Sequence, residues 1–383
     1  MNQALSPIFS LVVFITAFIT AQILVRVTGF QTIQGRNGNI DGLRGFLAIG
    51  VFIHHVDIWF HYLQTGLWNK GSSDLYAYFG GISVSFFFMI TAFLFVSRIL
   101  QFDKETIDWK HLFIARFFRL FPMYFFSLLI LLFIIFQTSS WEIKVGWFKL
   151  IKNIGYWLTF TIFSDGIINA NNLTGIINAG VVWSLPFEWV FYFSLPVLAL
   201  LITGKHINVF YIILGLLFVS LFIKIHGFEV KHILSFAGGS IAPFVLKYGK
   251  KTVNYNKWYY SLFILGCFGL IAIVGDLSDF FIKSTIALIF TLIALGNNLW
   301  GLLNSRVLKF LGEICYSTYL LHGIVIFIAV NYLLGSETVK GFPLILYYLT
   351  FIVLTPVIVG VSYLGFRFIE KPFMSYSKKI KFK

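Results

Sequence analysis

The sequence predicts an all-α fold, a polytopic bundle of transmembrane helices. Hydrophobic residues make up 58% of the 383 residues and charged residues only 11%, which is more apolar surface than a soluble core can bury. Apolar stretches recur along the chain, and each is long enough to cross a hydrocarbon core of about 30 Å. Trp and Tyr cluster near the ends of these stretches, as at Trp68, Trp147 and Trp258, which is typical of membrane interfaces.

We count about eleven candidate spans, each able to satisfy its backbone polar groups internally as a helix. Their approximate limits are 7–29, 41–62, 77–99, 118–137, 183–203, 207–225, 230–247, 258–275, 280–300, 309–333 and 342–367. If the N-terminus lies outside and the C-terminus inside, most Lys and Arg residues fall in inner segments, as the positive-inside rule requires. The one long outer segment, 138–182, contains an apolar piece at 154–163 that we expect along the membrane interface.

The charge and the cysteines exclude several classes of function. A net charge of +14 is typical of nucleic-acid binding, but basic inner loops explain it in a membrane protein, so we expect no nucleic-acid partner. Cys267 and Cys315 both fall in apolar segments and indicate neither a disulfide framework nor a zinc site. We expect no metal, and the oligomeric state stays open.

The second predicted span carries the clearest candidate for chemistry. Arg44 and His55 are eleven positions apart, or three helical turns plus about 20°, so both side chains point the same way. Asp41 lies within about 40° of this face. A charged group within the bilayer is costly and is a functional candidate by default. His54 lies off the face and is expected to play a structural part, paired with Asp57.

A carboxylate is predicted at the same depth as His55. Glu188, near the outer end of the fifth span, and His55 both lie roughly 10 Å or less below the outer surface in this topology. A carboxylate beside an imidazole orients the ring and raises its basicity, which suits a general base for a hydroxyl group. His322 is a further polar candidate within a span, serving either as an interhelical hydrogen-bond donor or in function.

A cluster of arginines is predicted on the inner side. Arg116 and Arg119 are three residues apart on one helix face, and Arg44 lies at the same inner level. Guanidinium groups match phosphate oxygens, so the three indicate a polyphosphate clamp, with positive-inside anchoring as the alternative.

Six stretches resemble, in order, the signature segments of the acyltransferase-3 family of integral membrane O-acyltransferases. The second span resembles the family's motif of a basic residue, ten residues and a histidine. Two departures stand out: Thr91-Ala92 replaces the family's Ser-Gly, and Trp189 stands where a second Glu is frequent. The stretches are 40–45 (IDGLRG) with His55, 86–93 (FFFMITAF), 116–122 (RFFRLFP), 183–192 (WSLPFEWVFY), 316–322 (YSTYLLH) and 369–373 (IEKPF).

The resemblance implies transfer of an acyl group, most often acetyl, from cytoplasmic acyl-CoA to a hydroxyl of a glycan or its lipid-linked precursor. It implies a domain at 40–374, an extra N-terminal helix in 1–39 and a basic tail at 375–383. His55 would be the catalytic base or a transient acyl carrier, oriented or charge-balanced by Glu188 or Asp41. Acyl-CoA would bind Arg44, Arg116 and Arg119, and the acceptor would contact His322, Trp183 and Tyr192.

Other functions stay open. A transporter or flippase for glycan intermediates would also bury His, Glu and Arg side chains, although we see no inverted repeat or broken helix. A glycan-assembly scaffold would need no aligned Arg44–His55 face. A third possibility is acylation of a small cytoplasmic molecule, for which the long outer segment would be dispensable. The expected location is the bacterial cytoplasmic membrane.

Overall fold

The regular secondary structure is helical throughout the described residues of the computed structural model, which confirms the predicted fold class. The structure describes residues 5–31, 37–71, 73–101, 107–227, 229–250, 252–274 and 278–380. The last three residues of the predicted basic tail lie outside these ranges. The chain divides into two compact units, which we treat separately. Unit 1 comprises Met1–Phe93 and Ile233–Tyr363, and unit 2 comprises Leu94–His232 and Leu364–Lys383.

Unit 1 contains the N-terminal helices and most of the later ones. Three helices, α3, α9 and α15, run across the division between the units. The helices of unit 1 are α1 (Pro7–Thr28), α2 (Gly38–Thr65), α3 (Asp74–Leu100), α9 (Val230–Tyr248), α10 (Trp258–Val274), α11 (Asp279–Ala294), α12 (Arg306–Glu313), α13 (Cys315–Ile328), α14 (Ser336–Lys340) and α15 (Leu344–Gly365).

Unit 2 contains the central helices and the C-terminal segment, which begins with a π-helical turn at Phe366–Glu370. Eight helices among the described residues are long and apolar enough to cross a membrane, and Trp258–Val274 is a shorter apolar helix. Two predicted spans occur as helices α9 and α11 but are not among these eight helices. The helices of unit 2 are α4 (Trp109–Thr138), α5 (Trp147–Leu158), α6 (Thr174–Ile177), α7 (Ser184–Thr203), α8 (Val209–His226) and α16 (Lys371–Ser377).

Helix α2 begins and ends at well-defined caps. The side chain of Asn37 accepts a hydrogen bond from the backbone N–H of Ile40, so it satisfies one of the unpaired donors at the helix start. Gly66, with φ of 74°, ends the helix in the left-handed conformation that glycine adopts without strain. The intervening 28 residues carry His54 and His55 on one continuous, mostly buried helix.

Helix α2 packs backbone against backbone on α12 and the turn before it. A Cβ atom at Gly42 would overlap the Leu303 carbonyl, and one at Gly312 would overlap the Asp41 carbonyl. A Cβ atom at Gly45 would likewise overlap the Leu308 carbonyl oxygen. Small residues allow this separation between helices in a membrane. The two glycines of the IDGLRG segment are therefore explained by packing.

The predicted span 309–333 is not one helix. Helix α12 ends at Glu313, and α13 begins at Cys315 after a break at Ile314. Ser305 caps α12, accepting from the backbone N–H of Leu308. Because Ile314 is neither Gly nor Pro, no local signal predicts the break. The break directs α12 along the start of α2 and α13 along its middle.

The long segment 138–182 folds around helix α5 and several short turns. The apolar piece at 154–163 is only partly helical, because the helix covers Trp147–Leu158 and Phe160 and Thr161 follow it with positive φ; its position along the interface stays a prediction. The Tyr124 hydroxyl donates to the Trp157 carbonyl at 2.5 Å, and the Asn171 amide donates to the Thr138 hydroxyl. The segment is therefore fastened to α4 at two levels.

Candidate active site

Two histidines from distant parts of the chain meet within unit 1. His322 Nε2 lies 3.0 Å from His55 Nδ1, and the ring centroids are 4.9 Å apart. His55 is 8% exposed and His322 is fully buried. The two residues are 267 positions apart in sequence, on α2 and α13. The orienting group found beside His55 is therefore His322, to which the sequence analysis assigned acceptor binding.

The neighbouring carbonyls determine which ring nitrogens carry hydrogen. His322 Nδ1 lies 2.8 Å from the Thr318 carbonyl, which can only accept, so His322 carries its hydrogen on Nδ1 and a lone pair on Nε2. His55 Nδ1 lies 2.9 Å from the Val51 carbonyl and therefore also carries hydrogen. It donates both to that carbonyl and to His322 Nε2. The lone pair of the neutral His55 ring is thus on Nε2, the atom that a general base uses.

His54 is held in a different way from its neighbour. Its Nδ1 lies 2.9 Å from the Tyr76 carbonyl, and its ring packs directly on Gly80, where a Cβ would overlap it. The predicted pairing with Asp57 is wrong, because the His54 ring bonds to α3 and Asp57 Oδ1 is buried without a hydrogen-bond partner in the described residues. His54 joins α2 to α3.

Asp41 and Arg44 form an ion pair at the start of α2. Arg44 Nη1 lies 3.5 Å from Asp41 Oδ1, three residues apart on the helix. Asp41 is fourteen residues before His55, which is about 21 Å along the axis. Their shared helix face led us to expect that Asp41 could orient His55. This distance excludes direct contact between the two side chains. Asp41 instead holds Arg44.

A further cation lies at the same end of α2. A Cβ at Gly38, the first residue of the helix, would be 2.6 Å from Lys309 Nζ and 2.6 Å from Asn304 Oδ1. Lys309 belongs to α12, and its ammonium group lies beside the first residue of α2. The local sequence does not distinguish Lys309 from the other inner basic residues. Its position depends on the glycine contacts between α2 and α12, which no local pattern reveals.

The two arginines of the RFFRLFP segment have protein partners within unit 2. Arg119 Nη1 donates to Glu370 Oε1, and this carboxylate is fully buried. The Arg116 guanidinium stacks over the Phe95 ring at 5.0 Å and hydrogen-bonds the Tyr192 hydroxyl. A phosphate at either arginine would have to share the guanidinium with these groups. The protein therefore already sets the orientation of both arginines, and their part in a phosphate clamp stays a prediction.

Glu188 and Tyr192 complete this network. The Tyr192 hydroxyl donates to Glu188 Oε1 one turn away on α7. Tyr192 is buried and holds the carboxylate, and its expected contact with the acceptor stays a prediction. The role of Glu188 in orienting His55 stays a prediction. Trp183 is 41% exposed at the start of α7, with its ring 5.1 Å from that of His232.

Within the described residues, no group of three or more His, Cys, Asp and Glu side chains is arranged to hold a metal ion. The chemistry offered by unit 1 is that of a buried imidazole whose tautomer is fixed by the Val51 carbonyl and which is hydrogen-bonded to a second imidazole. Such a pair can accept a proton at His55 Nε2 while His322 stabilises the resulting cation through the shared hydrogen bond.

Comparison with known protein families agrees with this chemistry. The family model described as an acyltransferase domain matches residues 37–367, which begin at the cap of α2 and include both histidines and both arginines of RFFRLFP. The chain therefore belongs to the acyltransferase-3 family and is an integral membrane acyltransferase. No curated protein and no solved structure matched the chain.

Proposed function

We propose that the protein moves an acyl group, most simply acetyl, from cytoplasmic acyl-CoA to a hydroxyl of a cell-surface glycan or its lipid-linked precursor. The observation that supports this proposal best is the His55–His322 pair, because it leaves a lone pair on His55 Nε2 in a buried setting. Membership of the acyltransferase family supplies the reaction class. The bacterial cytoplasmic membrane, with the N-terminus outside, is the proposed location.

In the proposed step, His55 Nε2 takes the proton of the acceptor hydroxyl as its oxygen attacks the thioester carbonyl. The carbon–sulfur bond then breaks, and the coenzyme A thiolate takes the proton back from the His55 imidazolium. His322 acts on the reaction through His55, so it is a positioning residue. The alternative route has His55 Nε2 attack the thioester and carry the acyl group before the acceptor hydroxyl receives it.

The phosphates of coenzyme A are assigned to basic side chains. Arg44 and Lys309 converge on the start of α2, and Arg116 and Arg119 are the paired arginines of α4. Guanidinium and ammonium groups are the usual phosphate ligands in proteins. Trp183 and Tyr192 remain the candidates for contact with the acceptor.

The test uses the purified full-length protein with radiolabelled acetyl-CoA and lipid-linked glycans from the host. The parent should label the glycan, and His55→Ala should reduce the rate by about 100-fold to 10,000-fold, the range for loss of a general base. His61→Ala, which changes another histidine of α2, is the matched control and should keep parental activity. Full activity of His55→Ala, or no consumption of acetyl-CoA by the parent, would refute the proposal.

The same assay separates the remaining alternatives. A rapid quench that traps labelled acyl group on the parent protein, but not on His55→Ala, would establish the acyl-histidine route. Consumption of acetyl-CoA with a soluble sugar or amino alcohol and none with lipid-linked glycan would instead identify a small-molecule acceptor. Movement of glycan across vesicles without acyl transfer would favour the transporter.

A further inference from the structure

Helix α5 presents three distinct faces around its axis. At about 100° per residue, one sector contains the buried Leu150 and Trp157, which pack on the protein. The next sector holds large apolar side chains that are nevertheless exposed: Trp147 is 67% exposed, Phe148 84% and Ile151 65%. A third sector, beside this apolar one, is basic and polar, and it includes Lys149, Lys152, Asn153 and Tyr156.

The orientation of α5 is fixed by its polar contacts within unit 2. The Trp157 indole N–H donates to the Gly166 carbonyl at 3.0 Å, and the Asn153 amide donates to the Ile167 carbonyl at 2.6 Å. Tyr124 of α4 donates to the Trp157 carbonyl. These bonds fix the rotation of α5 about its axis. The exposed apolar residues and the two lysines therefore stay on the outside of unit 2.

The position of α5 along α4 places the exposed apolar sector beside a membrane-spanning helix. Tyr124 is fourteen residues, or about 21 Å, before the end of α4 at Thr138. The end of α5 therefore lies beside the middle of α4. At the end of α4 the exposed Trp141 and Phe133 rings lie 5.8 Å apart and continue the aromatic surface. Exposed apolar side chains at this level face lipid.

The basic sector indicates which lipid. Helix α5 contains two lysines and no acidic residue. In the part of the chain that the structure describes, neither lysine forms an ion pair, and Lys152 Nζ lies 5.5 Å over the ring of Tyr156. By helical position Lys152 borders Phe148 and Lys149 lies beyond it, so a headgroup at the ammonium groups would place its acyl chains on the adjacent apolar sector.

We propose that α5 is a binding surface for an anionic phospholipid of the surrounding bilayer. The phosphate and the net negative charge of the headgroup lie against Lys149 and Lys152, and the acyl chains cover Trp147, Phe148 and Ile151. A zwitterionic lipid satisfies the apolar sector equally well but brings no net charge to the lysines, so the surface prefers the anionic lipid. This proposal does not depend on the acyl-transfer chemistry of unit 1.

The test titrates the full-length protein in detergent with phosphatidylglycerol or phosphatidylcholine of the same acyl chains and counts bound lipid by native mass spectrometry. The parent should bind phosphatidylglycerol more tightly. The double variant Lys149→Gln/Lys152→Gln should lose about 30-fold in affinity for phosphatidylglycerol, if each lysine contributes about 1 kcal/mol. Phe148→Gln should weaken binding of both lipids.

Lys144→Gln is the matched control, because Lys144 is an exposed lysine of the same segment whose backbone N–H, not its side chain, bonds Asn169. It should bind both lipids like the parent. Equal affinity of the parent for the two lipids would overturn the proposal, as would an unchanged phosphatidylglycerol affinity in the double variant. Binding of lipid-linked diphosphate sugars to the lysines in place of phosphatidylglycerol would overturn it too. Unfolding temperatures measured without added lipid confirm that each variant is folded.

Discussion

The two units bury polar side chains in opposite ways. In unit 1, α2 and α13 bring together two imidazoles, each of which donates its Nδ1 hydrogen to a backbone carbonyl. In unit 2, α4 buries guanidinium groups against the carboxylate of Glu370 and the Tyr192–Glu188 pair. A hydrogen-bonded pair of neutral rings costs little free energy to bury, and it keeps a nitrogen that can accept a proton. Buried charged groups, in contrast, are tolerated only when they are paired. In the proposed function, unit 1 therefore transfers the proton, and unit 2 supplies arginines whose orientation the protein already sets.

The largest effect expected concerns the ion pair of unit 2. Glu370→Ala removes the buried carboxylate to which Arg119 donates, and it should destabilise the protein by about 3–5 kcal/mol. Arg119→Met/Glu370→Leu removes both charges and should recover most of that loss, because no charge is left uncompensated. Thermal unfolding in detergent measures both. A double variant no more stable than Glu370→Ala would show that the pair is more than a compensated charge.

A smaller effect is expected at the neutral pair of unit 1. His322→Leu removes the acceptor of the His55 Nδ1–H bond, and it should lower kcat about 100-fold while KM for acetyl-CoA stays unchanged. His322→Gln keeps a side-chain oxygen that can accept this bond and should recover about tenfold of the loss. If the Gln and Leu variants are equally impaired, or if KM rises in step with the loss of kcat, His322 does not act by positioning His55.

Packing between α2 and α12 should matter next. Gly312→Ala introduces a methyl group where the Asp41 carbonyl already lies, and it should cost about 1–3 kcal/mol of stability through overpacking. Gly269→Ala is the control, because a Cβ at Gly269 meets nothing within 4 Å. Unfolding temperatures distinguish the two. Equal stability of both variants would contradict the backbone contact that joins these helices.

The smallest effect is expected at Lys309. Lys309→Gln removes the ammonium group from the start of α2, and it should raise the dissociation constant of coenzyme A about fivefold, as for a partly exposed charge worth about 1 kcal/mol. Isothermal titration with coenzyme A and with dephosphorylated pantetheine measures this. The pantetheine affinity should not change, since it lacks the nucleotide phosphates. A parallel loss for both ligands would assign Lys309 to structure alone.

The sequence revealed what is encoded locally and missed what depends on contacts between distant segments. The helical period was enough to predict that Arg44 and His55 share a helix face. The length of each apolar stretch was enough to locate a helix at each predicted span. It could not reveal that His322 lies beside His55, or that Glu370 pairs with Arg119 from 251 positions away. These two pairs form because distant helices pack together, and the local sequence around one residue of a pair does not indicate the other.

The break at Ile314 and the limits of α5 were missed for a related reason. Both are set by tertiary contacts: α12 is held by glycine contacts with α2, and α5 ends where Phe160 stacks on Tyr124 at 4.7 Å. Asp41 illustrates the opposite error. Its helix face was predicted correctly, but a shared face implies contact only between residues one turn apart, and Asp41 is nearly four turns from His55.

The contact between Gly312 and the Asp41 carbonyl has a consequence for the histidines. Helix α13 follows α12 after a single residue, so the point at which Gly312 rests on α2 sets how far along α2 the ring of His322 falls. One residue of slippage would move that ring by about 1.5 Å, enough to break a 3.0 Å hydrogen bond. The Gly312 contact therefore sets the register between α12 and α2, and with it the alignment of the His55 and His322 rings. A ligand or mutation that shifts α12 would therefore break the hydrogen bond between His55 and His322 without contacting either ring.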